Sequence, residues 1–154
     1  RELSKGMVTQ LHLAVAISID AKLLVLDEPT LGLDIIYRKR FYEQLLNDYF
    51  DEGRTILITT HQVEEVEQLL TDLIFIQKGQ IVLDSTMEEV TERFVEVEVP
   101  SDKIEQARAL RPIGERTTMS GVNMLYENIR PDQIEGLGKA RIPSVADLFV
   151  AKMS

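Results

Sequence analysis

Two short runs of mostly apolar residues dominate the first part of the chain, at residues 23–26 and 55–59. Neither run alternates regularly with polar residues, which is typical of strands buried on both faces of a parallel sheet. Apolar residues at helical spacing predict helices over residues 8–19, 35–51 and 62–70. Ser4 and Asp34 are suited to cap the first two of these helices, and Gly53 is suited to end the second.

A β-hairpin is predicted next, because apolar runs at residues 73–77 and 80–83 flank the dipeptide Lys78-Gly79. The order strand, helix, strand, helix, hairpin predicts an α/β fold in which helices cover a layered sheet. We assign residues 1–84 to this domain.

The pattern changes near Ser85, and residues 85–154 are predicted to form a small α+β domain. A short helix over residues 86–93, capped by Ser85 or Thr86 with Glu89 close by, precedes the alternating segment Phe94–Val99. That alternation predicts a half-buried strand. Further along we predict a helix over 102–110, a weak hairpin within 114–129, a loop or poor helix over 130–143, and a final helix over 144–153.

Composition excludes several classes of protein. Hydrophobic residues make up 44% and charged residues 28% of the chain, which is typical of a globular domain. A net charge of −9 argues against direct nucleic-acid binding through a basic surface. The chain has no cysteine, which fits a reducing compartment. It shows no initiator methionine, no signal peptide and no run of membrane-spanning length, so we expect the C-terminal part of a longer protein.

The first candidate site is the pair Asp27-Glu28, which directly follows the first apolar run. Charge at the end of a buried strand is unfavourable unless it is paired, hydrated or bound to metal, and open α/β sheets bind ligands at the carboxyl ends of their strands. We therefore predict a Mg²⁺-nucleotide site in which Asp27 holds the hydrated metal and Glu28 orients or deprotonates an attacking water. The alternative is a strand that ends in a solvated acidic turn.

Two further positions have both a functional and a structural interpretation. His61 follows the second apolar run and is a candidate to sense or stabilise a γ-phosphate, or else a structural histidine. The helix start at Ser4 and Lys5 offers unpaired N–H groups and positive charge to a phosphate, or else it is only a well-capped core helix.

Taken together, these segments resemble the second half of an ABC-transporter ATPase subunit. Leu3-Ser4-Lys5-Gly6-Met7 is similar to the signature Leu-Ser-Gly-Gly-Gln, and residues 23–28 are similar to the Walker B strand with its catalytic glutamate. Leu31-Gly32-Leu33-Asp34 is similar to the D-loop, and His61 falls where the family carries its switch histidine. The order and spacing of the four motifs agree across residues 3–85.

The resemblance implies a role for each motif residue. Ser4 and Gly6 would contact the γ-phosphate of ATP bound by the opposite subunit of a dimer. Asp27 would hold Mg²⁺ through water, Glu28 would polarise the attacking water, and His61 would steady the γ-phosphate.

The remaining motif positions concern the dimer and the subfamily. Asp34 would link the two nucleotide sites across the dimer. Lys5 and Met7 stand where the signature has Gly and Gln, and they belong to the same predicted nucleotide contact. This variant signature, together with residues 143–149, resembles bacterial exporters of drugs, peptides or lantibiotics.

The phosphate-cradling Walker A motif, Gly-x-x-x-x-Gly-Lys-Ser/Thr, does not occur in the sequence. The only Gly-Lys pair is Gly138-Lys139, which is followed by Ala140 and has Gln133 in place of the first glycine. We therefore expect that the isolated chain neither hydrolyses ATP nor binds ATP and Mg²⁺ tightly.

For the parent protein, the resemblance implies a transport ATPase at the cytoplasmic face of the cell membrane, partnered by a second ATP-binding subunit and a transmembrane permease. Two other classes stay open: a soluble ABC-type ATPase of DNA repair or translation, and a non-catalytic regulatory or interaction module. A sheet without the strands of an N-terminal half would expose apolar surface. We therefore expect self-association through residues 8–19, 23–26 or 55–59.

Overall fold

The computed structural model describes residues 4–51 and 53–153, apart from the side chain of Lys5. The chain forms two compact units, residues 1–69 and 70–154. The helices and strands described in the first unit are α1 (Lys5–Ile17), β1 (Leu23–Asp27), α2 (Ile35–Gln44), β2 (Thr55–Thr59) and α3 (Val63–Val66). A π-helical segment over Leu45–Tyr49 continues α2, and a 3₁₀ turn over Glu67–Leu69 continues α3. The predicted mixed α/β class is confirmed.

β1 and β2 pair in parallel, in a register that runs from Leu23 opposite Thr55 to Asp27 opposite Thr59. Because the carboxyl ends of parallel neighbours meet at one edge of the sheet, the polar residues that follow each strand are brought together there. This register is what positions the candidate site.

The prediction that both strands are buried on both faces is wrong for the part of the chain that the structure describes. Leu24 and Leu26 are buried, whereas Leu23 and Val25 are more than half exposed, and Leu57 on β2 is 46% exposed. The described elements cover one face of the two-stranded sheet. Unbroken apolar runs therefore occur here on a sheet that is packed on a single side.

α2 begins as predicted, since the Asp34 carboxylate accepts hydrogen bonds from the backbone N–H groups of Ile36 and Tyr37. Its helical path ends earlier than residue 51, because Phe50 has an extended backbone (ψ 129°) after the π-helical segment. Among the apolar and aromatic side chains along this helical path, Phe41, Leu45 and Tyr49 are buried and Leu46 is exposed.

The second unit begins with a hairpin and a helix. Its elements are β3 (Asp72–Gln77), β4 (Gln80–Thr86), α4 (Met87–Arg93), β5 (Phe94–Val99), α5 (Ile104–Arg108), β6 (Gly114–Thr117), β7 (Val122–Glu127), α6 (Pro131–Ile134), β8 (Lys139–Arg141) and α7 (Val145–Met153). The predicted hairpin is confirmed: Lys78 and Gly79 both have positive φ (51° and 77°), as a type I′ turn requires. The predicted cap of α4 is confirmed as a capping box formed by Thr86 and Glu89.

β5–β8 form an antiparallel sheet in the order β6-β7-β5-β8. Together with α5 and α6 this is the βαββαβ arrangement of ferredoxin-like folds. One face of the sheet packs into a core that contains Val97, Met124 and Tyr126, to which Ala107 of α5 and Leu137 contribute.

Two predictions for the second unit need correction. β5 is buried on both faces and not on one, since Val97 and Val99 face the core while Phe94 and Glu96 on the other face are also buried. Residues 130–143 contain α6 and the strand β8 in addition to loop. β8 is three residues long and exposed, so its pairing with β5 leaves no apolar pattern in the sequence.

The hairpin β3–β4 lies in the second compact unit, although the sequence assigned residues 70–84 to the first domain. The predicted domain boundary between residues 84 and 85 stays a prediction. The two compact units show which residues pack together, and they do not show which segments belong to one functional domain.

Candidate functional site

Glu28 and His61 are in direct contact at the carboxyl edge of the parallel pair. The Glu28 Oε1 atom lies 2.6 Å from His61 Nδ1 and accepts the His61 backbone N–H at 2.9 Å. The Thr60 hydroxyl donates to Glu28 Oε2 at 3.0 Å. The carboxylate is thus fixed by three contacts from the segment that follows β2, while the His61 side chain stays 67% exposed and open to a ligand.

Asp27 lies at the end of β1, next to Glu28, and is exposed. Its Oδ1 atom accepts a hydrogen bond from the hydroxyl of Thr59, its partner in the sheet. Carboxylate oxygens are ligands that Mg²⁺ prefers, and proteins commonly bind Mg²⁺ through one or two carboxylates with phosphates and water completing the shell. Among the described residues, no group of three or more His, Asp and Glu side chains is arranged to hold a metal alone. A single exposed carboxylate such as Asp27 suits a metal whose coordination shell is completed by phosphate and water.

The backbone of Glu28 is unusual, because its φ of 43° lies in the left-handed region that non-glycine residues seldom adopt. Hydrogen bonds hold this conformation: the Glu28 N–H donates to the Thr59 carbonyl at 2.8 Å, and the Leu31 N–H donates to the Glu28 carbonyl at 3.1 Å. A left-handed residue directly after a strand turns the chain sharply, and here the turn directs the carboxylate to His61.

The hydrogen bond with the His61 ring lowers the pKa of Glu28 below its ordinary value. Desolvation opposes this shift, and the hydrogen bonds from Thr60 and from the His61 backbone add to it. Glu28 is accordingly a carboxylate at neutral pH, which makes it an acceptor for a water proton or for the imidazole N–H.

The other predicted nucleotide residues lie at the start of α1. Ser4 caps this helix by accepting the Met7 backbone N–H at 3.3 Å, as predicted, and the Met7 side chain is half exposed. A Cβ atom at Gly6 would lie 3.8 Å from the Gly32 carbonyl oxygen, so the helix start and the loop after Glu28 are neighbours. The side chain of Lys5, and the whole of Leu3, lie outside the described residues.

Asp34 ends that loop and holds the start of α2 through its carboxylate. Gly32 within the loop has a φ of 82°, which suits glycine. The observed contacts of Asp34 are those of a helix cap, and its predicted role across a dimer stays a prediction.

Several polar residues of the site were not predicted from the sequence. Thr59 and Thr60 orient the two acids, and their only signal was their position at the carboxyl end of the second apolar run. Thr30, which is 1% exposed, hydrogen-bonds to Glu65 and lies 3.3 Å from the Tyr42 hydroxyl. Burial raises the pKa of Tyr42 above its ordinary value, so the hydroxyl keeps its proton. These buried contacts have no sequence pattern of their own.

A groove of about 570 Å³ lies elsewhere in the first unit, between α1 and α2, with Leu13, Tyr37 and Asp48 among its lining residues. None of the residues predicted to bind nucleotide or metal lines this groove. In the described ranges, no helix is both long and apolar enough to cross a membrane.

Known proteins match the part of the chain that carries the site. A family described as "AAA domain, putative AbiEii toxin, Type IV TA system" matches residues 1–67, a range that contains Asp27, Glu28 and His61. The Nod factor export ATP-binding protein I of Cupriavidus metallidurans is 38% identical over 82% of this chain. Its namesakes in Burkholderia pseudomallei and Rhizobium sp. are 37% and 32% identical over 91% and 97% of the chain.

The chain is a homologue of ABC-transporter ATP-binding proteins. The predicted family resemblance is thereby confirmed, and the export proteins among the relatives agree with the exporter-like subfamily. The matches cover 43%, 47% and 53% of the three relatives, so the chain spans about half the length of the curated proteins that it matches.

Proposed function

We propose that the chain is the part of an ABC-transporter ATP-binding subunit that positions the attacking water and the metal during ATP hydrolysis. The observation that carries this proposal is the contact between Glu28 and His61 at the carboxyl edge of β1 and β2, with Asp27 adjacent. Two acids and an imidazole at one edge of a parallel sheet match the needs of phosphoryl transfer, which are positioning and charge stabilisation.

Each residue has a distinct task in this proposal. Asp27 holds the hydrated metal through the carboxylate that Thr59 orients. Glu28, ionised and fixed by Thr60 and His61, accepts a hydrogen bond from the attacking water and aligns it. His61 donates to Glu28 and presents its exposed ring to the terminal phosphate. Mg²⁺, when bound, would neutralise part of the phosphate charge.

The nucleotide itself is shared between two subunits in this proposal. The start of α1, with Ser4, Lys5, Gly6 and Met7, contacts ATP held by a second ATP-binding subunit, and Asp34 lies at the dimer interface. The unpaired N–H groups at a helix start favour phosphate. A transmembrane permease then uses the cycle of binding and hydrolysis for export from the cytoplasmic face of the membrane. The relatives' printed names support ATP binding and export.

A chimaeric protein tests the proposal. The segment of this chain that matches the Cupriavidus metallidurans relative replaces its counterpart there, so that the relative supplies the remaining sequence. We expect the chimaera to hydrolyse ATP and the purified 154-residue chain not to, because the chain lacks a Walker A motif. Glu28→Gln and His61→Ala are each expected to lower kcat by about 10²-fold or more.

Asp20→Asn is the matched control, since it also removes one carboxylate charge but lies before the amino end of β1, where it pairs with Arg54. It is expected to leave kcat within about twofold of the unmodified chimaera, as surface charge changes have small effects. Equal losses in all three variants, or ATP turnover by the purified chain, would contradict the proposal.

A further inference from the structure

The loop between Glu28 and α2 is tied at both ends to the helix that follows His61. At its first end, the Thr30 hydroxyl is fully buried and donates to Glu65 Oε2 at 3.2 Å. Glu65 lies on α3, four positions after His61 in the sequence. A buried hydroxyl that binds a carboxylate has little freedom to move without breaking a charge-assisted hydrogen bond.

At the other end of the loop, the Arg38 guanidinium joins the loop to the helix that follows His61. Arg38 Nε donates to the Leu33 carbonyl at 2.7 Å, and Nη1 donates to Gln62 Oε1 at 2.9 Å and to a carboxylate oxygen of Glu65. Arg38 and Glu65 are each about one-quarter exposed. The planar guanidinium fixes the relative geometry of its acceptors, so the loop cannot move far without moving Gln62.

Gln62 is the neighbour of His61, and its backbone N–H donates to the Thr60 hydroxyl at 3.0 Å. The same hydroxyl donates to Glu28. A continuous set of hydrogen bonds therefore leads from the Leu33 carbonyl through Arg38, Gln62 and Thr60 to the Glu28 carboxylate.

We propose that Arg38 is a positioning residue which, with Glu65, couples the loop over residues 30–34 to the segment that carries Thr60 and His61. This inference rests on the proposed function, because it assigns the loop the task of reporting a neighbouring subunit to the Glu28–His61 pair. Loop movement changes the position of the acceptor Leu33, the guanidinium follows, and Gln62 and Thr60 move with it. Arg38 touches neither nucleotide nor water in this proposal.

The test perturbs the loop and measures the response after β2 in the 154-residue chain. Gly32→Ala strains the loop through its backbone alone, since Gly32 has a φ of +82° and a Cβ atom there meets nothing within 4 Å. Hydrogen–deuterium exchange is followed by mass spectrometry in peptides that cover residues 60–66. It is measured with and without Gly32→Ala in three backgrounds: unmodified, Arg38→Gln and Arg54→Gln.

Arg54 is a matched control because its surroundings are alike. Its guanidinium also joins a backbone carbonyl, that of Tyr49 at 3.1 Å, to a carboxylate, that of Asp20 at 2.7 Å, and its side chain is 23% exposed. It lies before the amino end of β2, away from Glu28. A general loss of stability would therefore affect both arginine variants.

We expect Gly32→Ala to accelerate exchange over residues 60–66 by about fivefold or more in the unmodified and Arg54→Gln backgrounds, and to have no added effect in Arg38→Gln. Equal responses in all three backgrounds would show that strain reaches His61 through the Glu28 backbone and would overturn the proposal. Absence of a response in the unmodified chain would overturn it as well.

Glu65→Gln is the second variant, because it keeps the shape of the side chain while removing its charge. It is expected to weaken the Gly32→Ala response by about half or more while circular dichroism stays unchanged. If Glu65→Gln unfolds the chain, the pair is a folding element and the proposal fails. Hydrogen exchange is measured without nucleotide, so this test does not depend on ATP hydrolysis. If exchange shows the coupling while the chimaera is inactive, the role of Arg38 is kept and the proposed function is rejected.

Discussion

Glu127 shows at the residue scale how a carboxylate is held between two cations. Arg93 Nη2 lies 2.8 Å from Glu127 Oε1, and Lys152 Nζ lies 2.7 Å from Oε2. Burial by itself would raise the pKa of Glu127, but the hydrogen bonds from Lys152 and Arg93 outweigh burial, so the pKa lies below its ordinary value. The folded state therefore binds a proton here less readily than the unfolded state does.

The lowered pKa of Glu127 predicts a contribution to stability that is lost in acid. A lowered pKa stabilises the fold above the unfolded pKa of Glu, and the stabilisation is lost as pH falls through the folded pKa. We expect the free energy of unfolding of the unmodified chain to exceed that of the Glu127→Gln variant by about 0.2–1 kcal/mol at pH 7. This difference should vanish towards pH 3. Thermal denaturation followed by circular dichroism across this range measures the effect. Glu135→Gln, at an exposed position, serves as the control and is expected to show no such loss.

The chemistry-bearing residues of the site were predictable at this scale, but their partners were not. Asp27, Glu28 and His61 follow apolar runs, and a run that stops at a charged or polar residue is visible in the sequence. Arg38 and Thr30 look like ordinary residues of a helix and a turn. Their contacts join segments about 30 positions apart, so only the tertiary fold defines them.

At the element scale, α7 packs so closely on β6 that one position excludes a side chain. A Cβ atom at Gly114 would lie 2.8 Å from the Cβ of Ala151 on α7, which is shorter than real side-chain contacts. The Lys152–Glu127 ion pair holds the same helix at this face of the sheet. We infer that α7 sits at its present distance because residue 114 is glycine.

Gly114→Ala is therefore expected to destabilise the chain by about 1–3 kcal/mol through overpacking. Guanidinium denaturation measures the energetic coupling between positions 114 and 151. It is carried out on the unmodified chain, on Gly114→Ala, on Ala151→Gly and on the double variant. Ala151→Gly alone is expected to cost about 1 kcal/mol, because glycine disfavours helix. The double variant should lose less stability than the sum of the two single variants. A strictly additive loss would show that the close approach carries no strain.

Most helices and strands were predictable from the periodicity of apolar residues. Those that were not predicted depend on contacts between segments distant in the sequence. The hairpin turn at Lys78-Gly79 and the helix starts capped by Ser4 and Asp34 were predictable, because each depends on residues within a few positions of each other. The π-helical end of α2 and the strand β8 were not, because packing decides the first and pairing with β5 defines the second.

At the scale of the whole molecule, α1 exposes an apolar stripe. Met7, Leu11 and Val15 recur on α1 at intervals of four residues and are 50–55% exposed, and Ile19, just beyond the end of the helix, is 57% exposed. Leu23 and Val25 add further apolar surface on β1. Contiguous exposed apolar surface of this kind favours association.

We expect the 154-residue chain to self-associate at micromolar concentration through these surfaces, which are two of the three alternatives predicted from the sequence, the third being residues 55–59. Leu11→Glu and Val15→Glu should shift the population towards monomer in size-exclusion chromatography with light scattering, because a charge buried in an apolar interface is unfavourable. Ile76→Glu is the control, since Ile76 is 64% exposed on β3, outside the predicted interface. A monomeric unmodified chain, or an equal effect of Ile76→Glu, would contradict the prediction.

The sequence by itself determined the α/β class, the order of the elements up to the strand over residues 94–99, the caps at Ser4 and Asp34, and the candidate residues Asp27, Glu28 and His61. These features depend on periodicity, local hydrogen bonding and the spacing of motifs, all of which a single chain displays in one dimension. The tertiary structure alone decided that the Glu28 carboxylate meets the His61 ring, that one arginine joins the loop to the helix beyond, and that β5 is buried on both faces. Such contacts depend on parallel strand register and close packing, which bring together side chains that no local pattern relates.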